Sequence, residues 1–397
     1  MYLSEKFSSI SPSATLAIDS KFKAMKAEGM DVVGFGAGEP DFPTPRHIKD
    51  AAIFAIENNI TKYTPASGTV DIKKAVCEKF LKENGLEYKP ENIVVSNGAK
   101  HSLNNALGAI LNPGDEVIIP APCWVSYPEM VLLADGVPVI VNSTEEEGFL
   151  PTIEKIRAAV TDKTRAIIIN NPSNPTGMCY PEEALRQIAA LCVEKNIYII
   201  ADEIYESLVY AGRKNFSIAT ISEEVKDLTI VVNGVSKTYA MTGWRIGYTA
   251  SNARLAKVMG NVQSHATSNP NSIAQHAAIA ALTGPQEPVL EMKAAFEERR
   301  NHMVERMNNI DGVSCIMPDG AFYIMMNISK LIGKEIDGTV ITGSDAFAEK
   351  FLEIEKVAVV PGKSFGTDIH VRWSYATSME NIDKGLDRLE SFISKLK

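Results

Sequence analysis

The 397-residue chain lacks the features that mark several classes of protein. It has no CxxC pair, and its cysteines are odd in number and scattered, which predicts reduced thiols of a cytoplasmic protein. They are Cys77, Cys123, Cys179, Cys192 and Cys315. No apolar run approaches the roughly 20 residues of a membrane span. The start of the chain has no basic region followed by an apolar one, so no signal peptide is expected.

Positive charge is also in deficit. Lysine and arginine number 40 against 49 acidic residues, which gives a net charge of −9 and disfavours nucleic acid or an anionic membrane as a partner. An anionic ligand would therefore need a local cluster of cations. The 22% charged and 45% hydrophobic content is ordinary for a globular protein, and the length predicts two to three domains.

Apolar runs rich in β-branched residues predict strands, which we place at 93–96, 116–119, 137–141, 165–169, 197–201 and 229–233. Helical patterns lie between several of them, for example at 181–195. This alternation predicts an α/β fold with a mostly parallel sheet flanked by helices. After about Pro288 the pattern changes to a smaller α+β domain, with helices predicted at 291–308 and 379–395 and short strands near 313–317 and 321–326.

A glycine-rich stretch at 31–38 could begin a dinucleotide-binding loop, which would indicate a nicotinamide-dependent dehydrogenase. Three prolines follow within six residues, at Pro40, Pro43 and Pro45. Proline removes backbone N–H donors and interrupts helices, so this stretch cannot open the phosphate-binding helix that such a loop requires.

Lys237 follows the apolar run 229–233 directly, and Thr242, Gly243 and Arg245 come shortly after it. An amine that forms a Schiff base with a carbonyl cofactor, beside hydroxyl and guanidinium groups that hold its phosphate, would require this set. The alternative is a solvated lysine before an amphipathic strand. This segment alone leaves both interpretations open.

Asp202 ends the strand predicted at 197–201, at the edge of the sheet where open α/β folds bind ligands. Its carboxylate could pair with a protonated pyridine nitrogen, and Tyr205 could turn its hydroxyl to the ring oxygen. The alternative is that Asp202 caps a helix with Glu203 in its first turn.

Two loops supply further candidates. Residues 171–177 (NPSNPTG) predict a rigid loop, with one X-Pro bond a candidate for the cis form, that aims Asn174 into a site. Gly98 lies between a strand and a helix predicted to run to about Ile110, which suits a phosphate. An ordinary turn is the alternative for each loop.

Eight segments, in order along the chain, resemble the fold type I pyridoxal-phosphate enzymes and specifically the class I aminotransferases. They are residues 36–41, 63–68, 96–100, 122–128, 171–177, 201–205, 235–237 taken together with 243–245, and 371–374. The resemblance implies a large cofactor-binding domain over 46–288 and a small domain built from 1–45 and 289–397. It also implies pyridoxal 5'-phosphate as cofactor and a homodimer with shared active sites.

The same resemblance implies the cofactor contacts. Lys237 would carry the cofactor and move the proton, and Asp202 would pair with the pyridine nitrogen. Tyr205 and Asn174 would bond the ring oxygen, and Trp124, otherwise a core aromatic, would stack on the ring. The phosphate would be held by Gly98, Ala99, Ser236, Arg245 and, from the neighbouring subunit, Tyr63, otherwise a surface tyrosine.

Substrate contacts are implied as well. Arg372 would grip the α-carboxylate through a bidentate fork, near the backbone of Gly38, Asn174 and Trp124; the alternative is that Arg372 pairs with an internal acid. One branch of the family binds the distal carboxylate through an arginine near residue 270, but this chain has none between Arg254 and Arg299. It resembles a branch that uses a lysine, here Lys100, and Thr15 fits the variation that also accepts prephenate.

These expectations favour ping-pong transamination of aspartate or glutamate with 2-oxoglutarate or oxaloacetate. Alternatives are a prephenate, aromatic or alanine aminotransferase, a cysteine-S-conjugate β-lyase, or a regulator that has lost turnover. The regulator would be expected to have damage at Lys237, Asp202 or Arg372, and all three are intact. Neither a metal, nor a nucleic acid, nor a membrane is expected as a partner.

Overall fold

The computed structural model describes residues 2–8, 10 and 14–397, without the side chains of residues 5, 14–17 and 19. Within these residues the α-helices are α1 (Glu5–Ser8), α2 (Ala14–Ala27), α3 (Arg46–Glu57), α4 (Val70–Lys79), α5 (Ala99–Ile110), α6 (Ser126–Leu133), α7 (Ile153–Ala158), α8 (Glu182–Lys195), α9 (Glu223–Leu228), α10 (Ala253–Ala266), α11 (Ser272–Thr283), α12 (Glu287–Asn308), α13 (Ser344–Glu355) and α14 (Met379–Ser394). A π-helical turn, Phe80–Asn84, continues α4.

The strands of the described residues are β1 (Val33–Gly34), β2 (Ile93–Ser96), β3 (Glu116–Ala121), β4 (Val137–Asn142), β5 (Thr164–Asn170), β6 (Tyr198–Asp202), β7 (Thr229–Gly234), β8 (Gly247–Ala250), β9 (Ser314–Cys315), β10 (Tyr323–Asn327), β11 (Glu335–Ile336), β12 (Thr339–Val340), β13 (Val357–Ala358), β14 (Val360–Pro361) and β15 (His370–Ser374). All six strands predicted for the large sheet are present, with ends that differ by at most two residues.

The large sheet has the order β2-β8-β7-β6-β5-β3-β4 and is parallel except at β8, which runs against both of its neighbours. Successive residues of a strand enter different apolar clusters: Ile168 and Ile200 pack on one face, and Ile167 and Ile199 on the other. A parallel sheet with both faces buried reads as a continuous apolar run, so the prediction of a mostly parallel, helix-flanked sheet is confirmed. We did not predict β8.

A smaller antiparallel sheet, ordered β14-β15-β10-β9, packs with α12, α13 and α14. Helix α12 begins four residues before the predicted start, at Glu287. Phe35, which follows β1, packs against Trp373 of β15 in a tilted arrangement, with 4.5 Å between ring centroids. The segment around β1 thus packs into the hydrophobic core of this smaller sheet, in line with the predicted small domain. The domain boundaries themselves stay a prediction. Within the described part of the chain, no helix combines the length and apolarity needed to cross a bilayer.

The Phe35–Trp373 contact requires glycine at position 385 of α14. A Cβ atom at Gly385 would lie 2.3 Å from Phe35 Cζ, so Gly385→Ala should lower the free energy of unfolding by about 1–3 kcal/mol through overpacking. Gly108→Ala in α5 is the matched control, because its Cβ would meet nothing within 4 Å. That change should raise stability by up to about 1 kcal/mol. Equal effects in urea unfolding would contradict the packing argument.

Candidate active site

A cavity of about 430 Å³ opens at the carboxyl ends of β5, β6 and β7. Parallel strands end at one edge of a sheet, so the residues that follow them converge there. The cavity brings together most of the residues singled out in the sequence: Gly38, Ala99, Lys100, Trp124, Asn174, Asp202, Tyr205, Ser236, Lys237, Arg245 and Arg372.

Asp202 is a buried carboxylate, 3% exposed, at the end of β6. It accepts a hydrogen bond from the Tyr127 hydroxyl at 2.7 Å and from the Ile204 amide at 3.3 Å. Burial raises the pKa of Asp202 to about 6, although these bonds and the nearby Lys237 oppose the rise. The chain turns after Asp202 instead of forming a helix, so the helix-cap alternative is wrong.

Lys237 lies in the turn after β7, beside the buried Ser236. Its Nζ donates to the Gly38 carbonyl oxygen at 2.5 Å. Burial lowers the pKa of Lys237 to about 8; Glu39 and Asp202 oppose this shift, and the cations Arg245 and Arg372 add to it. The solvated-lysine alternative does not hold, because the amine faces the cavity and is partly neutral near physiological pH.

Arg245 and Ala99 border the cavity, and Gly98 lies against the Arg245 guanidinium. Gly98 has a φ of 88° at the start of α5, and a Cβ there would lie 2.3 Å from an Arg245 guanidinium nitrogen. Gly247 begins the neighbouring strand β8, and a Cβ there would lie 2.3 Å from the Ala99 amide nitrogen. Glycine at both positions therefore lets a guanidinium approach the amide groups that open a helix, an arrangement that suits an anion.

Arg372 of β15 is 2% exposed and borders the cavity. It donates to Asn174 Oδ1 at 2.8 Å and to the Gly36 carbonyl oxygen at 2.9 Å. The rings of Tyr323 and Phe365 lie 4.4 and 4.9 Å from the guanidinium carbon. No described acid forms an ion pair with it, and its buried Nε has no partner. The alternative that Arg372 pairs with an internal acid is therefore wrong.

Lys100 and Trp124 form the outer wall. Lys100 Nζ lies 4.8 Å from the centre of the Trp124 ring, and burial lowers the pKa of Lys100 with a smaller contribution from Arg245. Trp124 is half-buried and borders the cavity. The alternative interpretation, a core aromatic, is therefore wrong.

The loop of Asn174 has two cis bonds, Asn171–Pro172 and Asn174–Pro175, where we predicted one.

Tyr63 does not border this cavity and is 91% exposed, as expected for a residue that serves a neighbouring subunit, and its role stays a prediction. The side chain of Thr15 lies outside the described residues.

Sequence reasoning missed several residues of the site. Tyr127 bonds Asp202, and the Tyr323 hydroxyl lies 2.9 Å from that of Tyr205. The Asn170 side chain donates to the Asp202 carbonyl oxygen and accepts from the Asn174 backbone N–H. Tyr127 lies inside a matched segment, 122–128, which could have indicated it; Tyr323 lies in none.

These features fit pyridoxal phosphate, the cofactor that the resemblance implies. A buried carboxylate at the sheet edge can face a ring nitrogen, and an amine lies within the same cavity. The glycine at position 98 lets the Arg245 guanidinium approach the amide groups at the start of α5, an arrangement that suits a phosphate. The unpartnered Nε of Arg372 marks a place for a further anion.

Three comparisons bear on identity. The sequence profile described as aminotransferase class I and II matches residues 30–389. The aspartate aminotransferase of Bacillus sp. (strain YM-2) is 50% identical over 98% of this chain and 99% of its own. The aspartate/prephenate aminotransferase of Nitrosomonas europaea is 45% identical over 99% of this chain and 100% of its own.

Solved structures agree in fold. The aspartate aminotransferase of Rhizobium meliloti matches with a TM-score of 0.96 and 43% identity, over the whole of both chains. That of Thermus thermophilus with maleate matches with a TM-score of 0.93 and 42% identity, over 98% of this chain and 99% of the other. The fold type I prediction is therefore confirmed. The chain belongs to the class I and II aminotransferases, pyridoxal-phosphate-dependent enzymes that transfer an amino group between an amino acid and a 2-oxo acid.

Proposed function

We propose that this aminotransferase acts on aspartate and glutamate, with oxaloacetate and 2-oxoglutarate as the 2-oxo acids. The observation that carries the proposal is a pair of cations that border the cavity of the Lys237 amine and are assigned to neither the cofactor ring nor its phosphate. These cations are Arg372 and Lys100, and both line one cavity with Lys237. Two separated cations suit a substrate with two carboxylates.

The cofactor is held by residues from several segments of the chain in this proposal. Asp202 binds the pyridine nitrogen and keeps it protonated, which the pKa of about 6 permits because a cation beside the carboxylate favours its ionised form. Trp124 covers one ring face, and Tyr205 and Asn174 donate to the ring oxygen. The phosphate contacts are assigned to Gly98, Ala99, Ser236 and Arg245.

Bound pyridoxal phosphate supplies a carbonyl carbon for the amino nitrogen and a cationic ring that withdraws electrons. Arg372 binds the α-carboxylate and so orients the substrate, with the backbone of Gly38 beside it. Lys237 takes the proton from the substrate Cα. It then returns a proton to the carbon bonded to the other side of the substrate's amino nitrogen. An amine with a pKa of about 8 suits this task, since part of it is unprotonated near neutral pH.

The dicarboxylate assignment has independent support. Relatives 45–50% identical to this chain are named aspartate or aspartate/prephenate aminotransferases. The Thermus thermophilus structure, 42% identical, is named with maleate, a dicarboxylate. Prephenate is a 2-oxo acid that also carries two carboxylates, so it is the principal alternative acceptor; aromatic amino acids are alternative donors.

A homodimer with shared sites is part of the proposal. Tyr63 and several apolar side chains near it in the chain are exposed: Ile53, Phe54, Ile56, Ile60 and Val70. A contiguous stretch of such residues is typical of a protein interface. In this proposal Tyr63 reaches the cofactor phosphate of the partner.

We assign the enzyme to the reducing environment of the cytoplasm. All five cysteines have free thiols, and the net charge of −9 disfavours nucleic acid and anionic membranes as partners. A disulfide in protein purified without reductant would contradict the assignment.

Cofactor loading should report the state of Lys237. When pyridoxal phosphate is added to cofactor-free protein, the rate at which the visible band appears should rise with pH with a midpoint near 8, because only the unprotonated amine attacks a carbonyl. An unperturbed lysine would place the midpoint at roughly 10.4. Lys237→Ala should form no such band and lose nearly all turnover, whereas Lys257→Ala, at an exposed position of α10, should match the wild type. Full activity of Lys237→Ala would overturn the assignment.

Lys100→Met tests the second carboxylate. With an amino acid as the only substrate, the decay of the visible band should slow about 10- to 100-fold for aspartate, the loss expected for a hydrogen bond to a charged group. Decay with alanine should change little. Arg372→Lys is the matched control and should slow both amino acids, since lysine cannot reproduce the bidentate fork.

Equal losses with aspartate and alanine would remove Lys100 from substrate selection. A wild-type enzyme that ignores aspartate and responds to phenylalanine or arogenate would keep the aminotransferase and discard the aspartate assignment.

Hybrid dimers test the role of Tyr63. Tyr63→Ala and Lys237→Ala subunits, mixed and refolded together, should give more activity than either parent. The reason is that the hybrid contains one site with an intact Lys237 and an intact Tyr63 from the partner. Activity equal to the mean of the parents, or an active monomer in sedimentation, would contradict the shared site.

A further inference from the structure

A buried polar cluster lies behind the active-site cavity without bordering it. Glu206 is 7% exposed, and its carboxylate accepts hydrogen bonds from three side chains. They are the Lys79 ammonium, the Asn233 amide at 2.6 Å and the Asn84 amide at 2.8 Å. A buried ion pair adds little stability over apolar residues of similar size, because both charges must be desolvated. Its presence therefore calls for another reason.

The backbone beside this cluster has an unusual form. Helix α4 ends at Lys79 and passes into the π-helical turn Phe80–Asn84, which closes at Gly85 with a φ of 69°. Such turns are rare and occur frequently near functional sites. This one directs both the Lys79 ammonium and the Asn84 amide at the same carboxylate, and Asn84 Oδ1 accepts from Lys79 at 2.8 Å.

The cluster joins the two segments that supply the catalytic groups. Glu206 lies in the turn that follows β6, directly after Tyr205 and four residues after Asp202. Asn233 lies near the end of β7, four residues before Lys237, and its Oδ1 accepts from the Gly234 amide at 2.7 Å. The same two segments meet again where the Thr238 hydroxyl donates to the Ser207 hydroxyl at 3.3 Å.

We propose that Glu206 and Asn233 are positioning residues that fix the spacing between Asp202 and Lys237, and that Lys79 and Asn84 hold Glu206 in place. The inference rests on the roles proposed for Asp202 and Lys237. Both must reach one cofactor from different strands, and a displacement of about 1 Å at a reacting group can cost roughly 100-fold in rate. The Glu206–Asn233 hydrogen bond ties the two strand ends together directly behind that site.

Two double variants separate the hydrogen bond from the charges. Lys79→Met/Glu206→Gln and Lys79→Met/Glu206→Leu both remove the ion pair, but only the first keeps an oxygen that can accept from Asn233. The first should retain a kcat close to the wild-type value. The second should lose roughly tenfold or more in kcat, with a smaller change in KM. The pH midpoint of the visible band of the bound cofactor should move by about half a unit or more in the second variant alone.

Single variants at the two ends of β7 give an independent control. Asn233→Ala removes the link to Glu206. Thr229→Ala removes a buried hydrogen bond, from its hydroxyl to the Val225 carbonyl oxygen at 2.6 Å, at the end away from the cavity. Asn233→Ala should lower kcat and shift the band midpoint, while Thr229→Ala should only lower stability.

Each outcome bears on the inference. If the variants lose stability but keep the kcat and band midpoint of the wild type, the cluster is only structural and the inference is overturned. If the double variants do not fold, the two single variants carry the same test. Wild-type protein that forms no visible band with added cofactor would instead contradict the proposed function, and the two failures are therefore distinguishable.

Discussion

The burial of the Asp202 carboxylate is the constraint on which the rest of the site depends. A carboxylate that is 3% exposed loses the hydration that stabilises its charge, and only hydrogen bonds or a cation can replace it. Tyr127 and the Ile204 amide supply two bonds, and Asn170 holds the adjacent carbonyl oxygen. These contacts still leave the pKa raised to about 6. A further cation beside Asp202 would lower this pKa towards its usual range, and a protonated pyridine nitrogen can provide one.

Arg372 presents the opposite case, a buried cation without an acid. Its guanidinium is held by an amide oxygen, a carbonyl oxygen and two aromatic rings, none of which carries a formal negative charge. An internal acid would have neutralised the arginine and closed its fork to a ligand. Neutral partners hold the group in place while they leave its charge available. The same contacts join β15 to Gly36 and to the loop of Asn174, so substrate recognition depends on how these three segments pack.

The sequence predicted those parts of the molecule whose cause is local. Strands such as β5 and β6 are apolar throughout because helices cover both faces, and Lys237 and Asp202 follow such runs directly. Strand β8, only four residues long and beginning at Gly247, has no such run and escaped prediction. The contacts of Tyr127 with Asp202 and of Tyr323 with Tyr205 join residues 75 and 118 positions apart. No local pattern encodes such pairs, since packing between elements alone decides them.

The balance of charge in the cavity connects ligand binding to acid–base chemistry. The chain is acidic overall, yet Lys100, Lys237, Arg245 and Arg372 converge here against Asp202 and Glu39. Arg245 and Arg372 both lower the pKa of Lys237, and Arg245 also lowers that of Lys100. These two arginines thus increase the share of neutral amine near neutral pH, and the neutral amine is the form that attacks a carbonyl. Each phosphate or carboxylate that enters offsets part of this repulsion, so the pKa of Lys237 rises. The amine becomes a stronger base in the presence of the substrate whose Cα proton it must remove.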